Sequence, residues 1–223
     1  MIALFDLDGT LTDPKVGITR SIQYALERLH RPVLEADSLT WMIGPPLIDG
    51  FTRLLGGPED APEAVRLYRE RYSEVGLFEN EVYPGIPNLL DRLKGQGIRL
   101  LVATSKPHVY ARRIVEHFGL LPSFAAVYGS ELDNRNADKR DLIRHILDLE
   151  GFEPRDAIMI GDREHDAIGA RANGLTPIGV TWGYGSREEL LKAGVARLVD
   201  TPAALEAPIR ELIGSTPLRA AGA

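Results

Sequence analysis

Short apolar runs recur along the chain, separated by polar segments in which apolar residues return at helical spacing. The runs typical of buried strands are residues 2–5, Ile98–Ala103, Ala125–Val127, Ala157–Ile160, Pro177–Val180 and Arg197–Val199. Strands that alternate with helices of about 10–15 residues are typical of parallel sheets. The pattern therefore predicts an α/β fold, a doubly wound, mostly parallel, Rossmann-like sheet with helices on both faces.

The helices between the later strands are predicted from their apolar faces. The residues expected on these faces are Ile86, Leu89, Leu90 and Leu93, then Val109, Arg113 and His117, then Leu142, Ile143, Ile146 and Leu147. In a parallel sheet, right-handed crossovers bring all strand carboxyl ends to one edge, where ligands bind.

The first strand is followed by about 80 residues without a convincing strand. The first helix is predicted from the helical spacing of Ile18, Ile22, Leu26 and Leu29, and the second covers Leu47–Leu55. A third helix is predicted to begin with a capping box formed by Asp60 and Glu63 and to run to about Val75. The prediction is a small helical cap domain over residues 14–80, inserted into a core of residues 1–13 plus 81–223. Its hinges are expected near residues 12–15 and 79–85.

Composition and charge narrow the class of protein. The chain has 223 residues, a net charge of −6 and no cysteine. An acidic chain without a Lys/Arg run has no electrostatic reason to bind nucleic acid. No apolar run reaches the length of a membrane span and no signal peptide is evident. Without disulfides or thiolate sites, a cytoplasmic location is expected.

Residues that can carry chemistry follow three of the predicted strands. Asp6 and Asp8 follow the first, Thr104-Ser105-Lys106 the second, and Gly161-Asp162 the fourth. Lys139, at the start of a predicted helix, can reach the same sheet edge because its stem is long. These side chains are therefore expected to converge.

This set of residues suits phosphoryl transfer. A carboxylate can attack an anionic phosphate ester only if charge is masked, and Mg²⁺ held by oxygen ligands does this. Asp6, Asp162 and the Asp8 backbone carbonyl are the predicted ligands. Thr104 and Lys139 can hold the phosphoryl oxygens. Pro107, predicted at a first helical position, would put the 104–106 N–H groups at a helix N-terminus.

Two carboxylates spaced two residues apart can divide the chemistry between them. Asp6 is the predicted nucleophile and would form an aspartyl-phosphate. Asp8 can protonate the leaving oxygen and then take a proton from the attacking water. That role needs a raised pKa, which a crowded acidic site can provide.

Taken in order, these motifs resemble those of haloacid dehalogenase superfamily phosphatases, in the phosphoglycolate-phosphatase-like branch. The matching positions are Asp6, Asp8 and Thr10 in the first motif, Thr104 in the second, Lys139 in the third, and Gly161, Asp162 and Asp166 in the fourth, GDxxxD. The resemblance spans about residues 1–210, and the helical insert matches the family's cap.

The resemblance implies a Mg²⁺-dependent phosphoric monoester hydrolase acting on a small phosphorylated substrate. The implied metal ligands are Asp6, the Asp8 carbonyl and Asp162. Asp166, expected to pair with Lys139, and Thr10 would lie beside them without binding the ion. Thr104, Ser105, Lys139 and Gly44, the last in a lid loop, are the predicted substrate-binding residues.

Several alternatives stay open at this stage. Among substrates, 2-phosphoglycolate ranks first, ahead of a 5'-nucleotide, a sugar phosphate or pyrophosphate. A phosphomutase of the same fold is an alternative, whereas Asp8 argues against a dehalogenase and the intact motifs against a binding protein. The roles of Lys106, Arg135 and Arg163 are open, as is the choice between monomer and homodimer. The last eight or nine residues are expected to fray.

Overall fold

A six-stranded parallel sheet forms the centre of the protein. The computed structural model describes residues 1–214, so the predicted frayed tail lies outside the described residues. In chain order, the strands are β1 (Ile2–Phe5), β2 (Thr12–Asp13), β3 (Glu81–Val82), β4 (Arg99–Pro107), β5 (Ala126–Ser130), β6 (Ala157–Gly161), β7 (Thr176–Val180) and β8 (Arg197–Val199). The sheet order is β5-β4-β1-β6-β7-β8, and every neighbouring pair is parallel.

The helices connect these strands. In chain order they are α1 (Lys15–Arg28), α2 (Leu47–Leu55), α3 (Ala61–Arg71), α4 (Ile86–Gly95), α5 (His108–His117), α6 (Lys139–Glu150), α7 (Glu164–Ala172), α8 (Arg187–Ala193) and α9 (Glu206–Gly214). None of the helices described within residues 1–214 has the length and apolar character needed to cross a bilayer.

Both faces of the sheet are covered, which confirms the predicted doubly wound α/β fold. On one face, α6 and α7 pack on a cluster formed by Ile2, Leu4, Leu101, Met159, Leu142 and Ile146. On the other face, the core cluster includes Phe5, Val102, Ile160, Leu89, Ile114 and Ile209. β1 lies between β4 and β6 and all four of its residues are buried, because the strand is covered on both faces.

The helical insert is attached to the sheet through a small ladder. β2 pairs with β3 in antiparallel orientation, with Thr12 opposite Val82 and Asp13 opposite Glu81. These two strands lie where hinges were predicted, and α1, α2 and α3 lie between them in the chain. The sequence pattern did not indicate strands of two residues. The division into two domains stays a prediction.

Three local predictions were wrong. Asp60 precedes α3 but makes no capping hydrogen bond: its backbone is already helical, with φ −92° and ψ −7°, and its carboxylate pairs with Arg31 at 2.6 Å. The predicted helical end near Val75 agrees with the structure, since α3 continues as a π-helix over residues 72–76. α5 buries Ala111, Ile114 and Val115, and not the predicted face, because Val109 is exposed. Pro107 ends β4 and caps α5 in an extended conformation, one position before the helix.

We predict that Gly17 is required for the packing of the insert. Its amide donates to the Glu79 carbonyl at 2.9 Å, and a Cβ atom at position 17 would lie 2.0 Å from the Gly76 carbonyl oxygen. Gly17→Ala should therefore lower the free energy of unfolding in urea by about 1–3 kcal/mol, although alanine favours helices.

Gly95→Ala is the matched control for this substitution. It also lies in a helix, and a Cβ atom there would meet nothing within 4 Å. The control should leave stability unchanged or raise it by up to about 1 kcal/mol. A Gly17→Ala protein as stable as the control would contradict the packing described for the insert.

Candidate active site

The chain after β1 turns sharply and brings two carboxylates to the sheet edge. Asp6 is 6% exposed, and its amide donates to the Ile160 carbonyl of the neighbouring strand β6 at 2.9 Å. Gly9 has φ +82°, and a Cβ atom there would lie 2.2 Å from Asp162 Oδ2. Only glycine allows both this backbone conformation and this close approach.

Lys139 lies at the centre of a buried cluster of charges. Its Nζ is 2.9 Å from Asp6 Oδ1 and 2.6 Å from Asp166 Oδ1, and it donates to the Ala103 carbonyl at 2.6 Å. Burial alone would lower the pKa of Lys139, but Asp166 and Asp6 outweigh burial and raise this pKa above its ordinary value. Lys139 therefore remains an ammonium group at neutral pH.

Asp162 is held by two segments that are distant in the sequence. Its Oδ1 accepts a hydrogen bond from Thr10 Oγ1 at 3.1 Å, and its Oδ2 accepts one from the Tyr184 amide at 2.8 Å. Trp182 Nε1 donates in turn to the Thr10 carbonyl at 3.0 Å. Burial, followed by the charges of Asp166 and Asp6, raises the pKa of Asp162 to about 8.

The residues present fit a hard divalent cation. Oxygen atoms of Asp6, Asp162 and Asp166 all lie within 4.8 Å of one another, and all three residues are buried. Three carboxylates beside one ammonium leave an excess of negative charge that burial makes costly. Carboxylate oxygens are the ligands that Mg²⁺ prefers. The predicted ligands Asp6 and Asp162 are thus brought together, with Asp166 as a third neighbour.

The Asp8 carboxylate has a different partner. Lys106 Nζ lies 2.7 Å from Asp8 Oδ2 and also donates to the hydroxyl of Tyr72, in the π-helical segment of the insert. Burial raises the pKa of Asp8, and Lys106 opposes that rise. The open question about Lys106 is therefore answered: its ammonium lies beside Asp8 and not in solvent.

A cavity lies between the sheet edge and the insert. Asp6, Asp8, Thr104 and Ser105 line it from the sheet edge, and Gly44 lines it from the loop before α2. Thr104 is buried, and its Oγ1 accepts a hydrogen bond from the Lys106 amide at 3.3 Å. The structure therefore brings the predicted substrate-binding residues to one cavity, apart from Lys139, which belongs to the buried cluster.

Residues 3–180 match the family model described as haloacid dehalogenase-like hydrolase. The chain belongs to this family. A Pseudomonas aeruginosa protein named 5'-nucleotidase is 53% identical over 188 residues, which cover 84% of this chain and 85% of that protein. A Rhodospirillum rubrum protein named phosphoglycolate phosphatase is 33% identical over an aligned region that covers 96% of this chain and 95% of that protein.

Two further relatives extend the comparison. A Mycobacterium tuberculosis protein named tyrosine-protein kinase PtkA is 40% identical, over 96% of this chain and 72% of that protein. The structure of a predicted phosphatase from Clostridium acetobutylicum superposes with a TM-score of 0.90 at 45% identity and covers 94% of this chain and 98% of the other. The predicted family and the enzyme class, a haloacid dehalogenase-type phosphatase, are confirmed.

Side chains around the site of this haloacid dehalogenase-like hydrolase make contacts that the sequence did not predict, and one of them belongs to Arg163, whose role was open. Arg163 donates from Nη1 to the Ile43 carbonyl at 2.6 Å and from Nε to Glu189 at 2.9 Å, so it ties the loop carrying Gly44 to the core. Tyr184 and Trp182 lie after β7 and reach Asp162 and Thr10 only through the fold. No local sequence signal distinguishes such contacts.

Arg135, whose role the sequence left open, is exposed and pairs with Asp133 at 2.9 Å. Its guanidinium is therefore engaged within its own loop. The neighbouring Asn134, which has φ +71°, lines the cavity instead.

We predict that Lys139 is required for stability as well as for the site. Lys139→Met would leave the buried Asp6 and Asp166 without a cation and should lower the free energy of unfolding in urea by about 3–5 kcal/mol. The measurement is made in EDTA so that no divalent metal replaces the lost charge.

Lys192→Met serves as its control, because Lys192 is an exposed lysine on α8. This control should change stability little, since surface substitutions usually do. If both substitutions have the same effect, the buried ion pairs do not stabilise the fold as described.

Proposed function

We propose that this protein is a Mg²⁺-dependent phosphatase that hydrolyses a small phosphate monoester through an aspartyl-phosphate on Asp6. The observation that carries the proposal is the position of Asp6. Its buried carboxylate lines the cavity and lies 2.9 Å from the ammonium of Lys139 and close to Asp162. A carboxylate so placed can meet an anionic ester with its own charge partly neutralised.

Mg²⁺ would be held by Asp6, Asp162 and the backbone carbonyl of Asp8, with Asp166 beside them. When bound, the ion supplies positive charge that reduces the repulsion between the nucleophile and the phosphate. The closeness of the Asp6 and Asp162 oxygens, which lie within 4.8 Å of each other, supports this assignment, since Mg²⁺ prefers oxygen ligands.

The proposed first step transfers the phosphoryl group to Asp6. An Asp6 carboxylate oxygen attacks phosphorus, the bond between phosphorus and the ester oxygen breaks, and Asp8 gives its proton to the departing oxygen. Thr104, which lines the cavity, stabilises the phosphoryl oxygens as their charge shifts, and the ammonium of Lys139 adds positive charge beside Asp6. Burial raises the pKa of Asp8 above its ordinary value, which is the direction that a proton donor needs.

The proposed second step returns the enzyme to its starting state. Asp8, now a carboxylate, takes a proton from a water molecule whose oxygen attacks phosphorus, and the bond between Asp6 and phosphorus breaks. Free phosphate leaves and Asp8 is protonated again. Lys106, whose Nζ lies 2.7 Å from Asp8 Oδ2, would hold the Asp8 side chain in position for both transfers.

For the substrate, we propose a 5'-nucleotide first. The relative named 5'-nucleotidase is 53% identical, whereas the relative named phosphoglycolate phosphatase is 33% identical. This order reverses the one that the family resemblance suggested, and 2-phosphoglycolate is the second candidate. We also propose that residues 14–80 act as a cap domain that selects the leaving group, and that the enzyme works in the cytoplasm.

A panel of phosphate esters tests the proposal. The purified protein should release free phosphate from nucleoside 5'-monophosphates in the presence of Mg²⁺, with a higher kcat/KM than for 2-phosphoglycolate or sugar phosphates. EDTA should abolish the release, and added Mg²⁺ should restore it, because the carboxylate cluster needs a cation.

Other products would point elsewhere. Isomerised sugar phosphate would indicate a mutase, and transfer from ATP to tyrosine would indicate a kinase. Hydrolysis that continues unchanged in EDTA would refute the metal requirement. Asp6→Asn should abolish phosphate release, whereas Asp148→Asn, the matched control at an exposed aspartate on α6, should keep the wild-type rate.

A further inference from the structure

Arg69 is a cationic residue of the insert at the wall of the cavity. It lies in the last turn of α3 and lines the cavity with Tyr68 and Tyr72 of the insert and Tyr110 of α5. Neither the sequence motifs nor the proposed chemistry of Asp6 and Asp8 uses this residue.

The charges that line the cavity are balanced except at Arg69. Four charged side chains contribute to the wall, namely Asp6, Asp8, Lys106 and Arg69. Asp6 pairs with Lys139 at 2.9 Å, and Asp8 pairs with Lys106 at 2.7 Å. Within residues 1–214, no carboxylate lies within ion-pairing distance of Arg69.

The guanidinium of Arg69 also keeps a donor that the protein does not use. Its Nη2 donates to the Leu132 carbonyl at 3.1 Å. Its Nε is buried and has no hydrogen-bond partner among the residues that the structure describes. A buried charged donor without an acceptor is costly. An oxygen atom of a ligand in the cavity would give the Arg69 guanidinium a partner that the protein does not supply.

The surroundings of Arg69 indicate what such a ligand looks like. The rings of Tyr68 and Tyr72 are stacked with centroids 5.0 Å apart, and Tyr110 packs edge-on against Tyr72 at 5.9 Å. Tyrosine rings offer a flat, largely apolar wall, and arginine binds planar groups through paired donors. The cavity therefore suits a leaving group that carries an oxygen acceptor, and the tyrosine rings would pack against a flat ring if the leaving group has one.

We propose that Arg69 binds a carbonyl or carboxylate oxygen of the leaving group, at the end remote from the phosphate, and so determines which ester is hydrolysed. The inference rests on the proposed phosphatase activity and adds the residue that recognises the substrate. A pyrimidine base carbonyl of a 5'-nucleotide and the carboxylate of 2-phosphoglycolate are the two sources of this acceptor.

The test combines removal of the donor with removal of the acceptor. Arg69→Gln and Arg69→Lys are assayed on uridine 5'-monophosphate and on ribose 5-phosphate, which lacks the base. They are also assayed on 2-phosphoglycolate and on ethyl phosphate, which lacks the carboxylate. Arg69→Gln should lose about 10- to 100-fold in kcat/KM on the ester that carries the recognised acceptor and change little on its partner.

The result identifies the source of the acceptor. A loss confined to uridine 5'-monophosphate assigns the acceptor to the base, and a loss confined to 2-phosphoglycolate assigns it to the carboxylate. Equal losses on both members of each pair would overturn the proposal, since they would show only that Arg69 ties α3 to Leu132. No loss on any ester would overturn it as well.

Two controls keep the outcome decisive. Arg66→Gln removes an exposed arginine of the same helix that pairs with Glu63 at 2.7 Å and Glu70 at 3.2 Å, and it should leave all four rates unchanged. Thermal unfolding shows whether the Arg69→Gln protein is folded. If it is not, the Arg69→Lys protein is used instead, because it keeps the positive charge at this position.

A failure of the proposed function is distinguished by binding. Calorimetry measures the affinity of the same esters for Asp6→Asn and for Asp6→Asn with Arg69→Gln. If wild type hydrolyses none of the esters, the proposed function fails. In that case, the proposed role of Arg69 is still supported if one acceptor-bearing ester binds more weakly to the double variant than to Asp6→Asn. It is overturned if each of the four esters binds equally well to both variants.

Discussion

Three buried acidic side chains cluster at the edge of the sheet and only two of them contact an ammonium group, and the organisation of the site follows from that imbalance. Asp6 and Asp166 contact Lys139 directly, and Asp162 lies close enough for oxygens of all three acids to fall within 4.8 Å of one another. Burial makes unpaired charge expensive, so the pKa of Asp162 rises to about 8. A divalent cation would reduce the same electrostatic cost, because its charge would pair with the carboxylates. The close, buried arrangement is thus unfavourable for the carboxylates when no metal is bound. The same arrangement favours the binding of a metal ion and, with it, of an anionic substrate.

Several elements of the fold position the side chains of this cluster and contact them from different sides. Strand β1 lies next to β6 in the sheet, so Asp6 and Asp162 follow adjacent parallel strands. Lys139 is the first residue of α6 and reaches the cluster from that helix. The loop after β7 then supplies the Tyr184 amide to Asp162. On the outer side, Lys106 connects Asp8 to Tyr72 of the insert. The acid proposed for proton transfer is therefore linked to the segment proposed to select the leaving group.

The sequence predicted the parts of this structure that depend on local pattern. Strands of four or five buried apolar residues are visible as apolar runs, and a carboxylate after such a strand must lie at the sheet edge, which is why Asp6 and Asp162 were found. Contacts that depend on tertiary folding were not visible. The capping box at Asp60 does not form: Asp60 has helical backbone angles, and its carboxylate pairs with Arg31, which is distant in sequence. Tyr184, Arg163 and Arg69 act through partners more than 20 residues away, and no spacing rule encodes such pairs.

The central claim is that Asp6 itself carries the phosphoryl group during turnover. The most direct measurement is an acid quench of a single turnover on an ester labelled at phosphorus, followed by peptide fragmentation to locate the label. The account predicts an acyl-linked phosphoryl group on Asp6, not on Asp8, and no label in Asp6→Asn. Label on any other residue, or steady hydrolysis by Asp6→Asn, would contradict it.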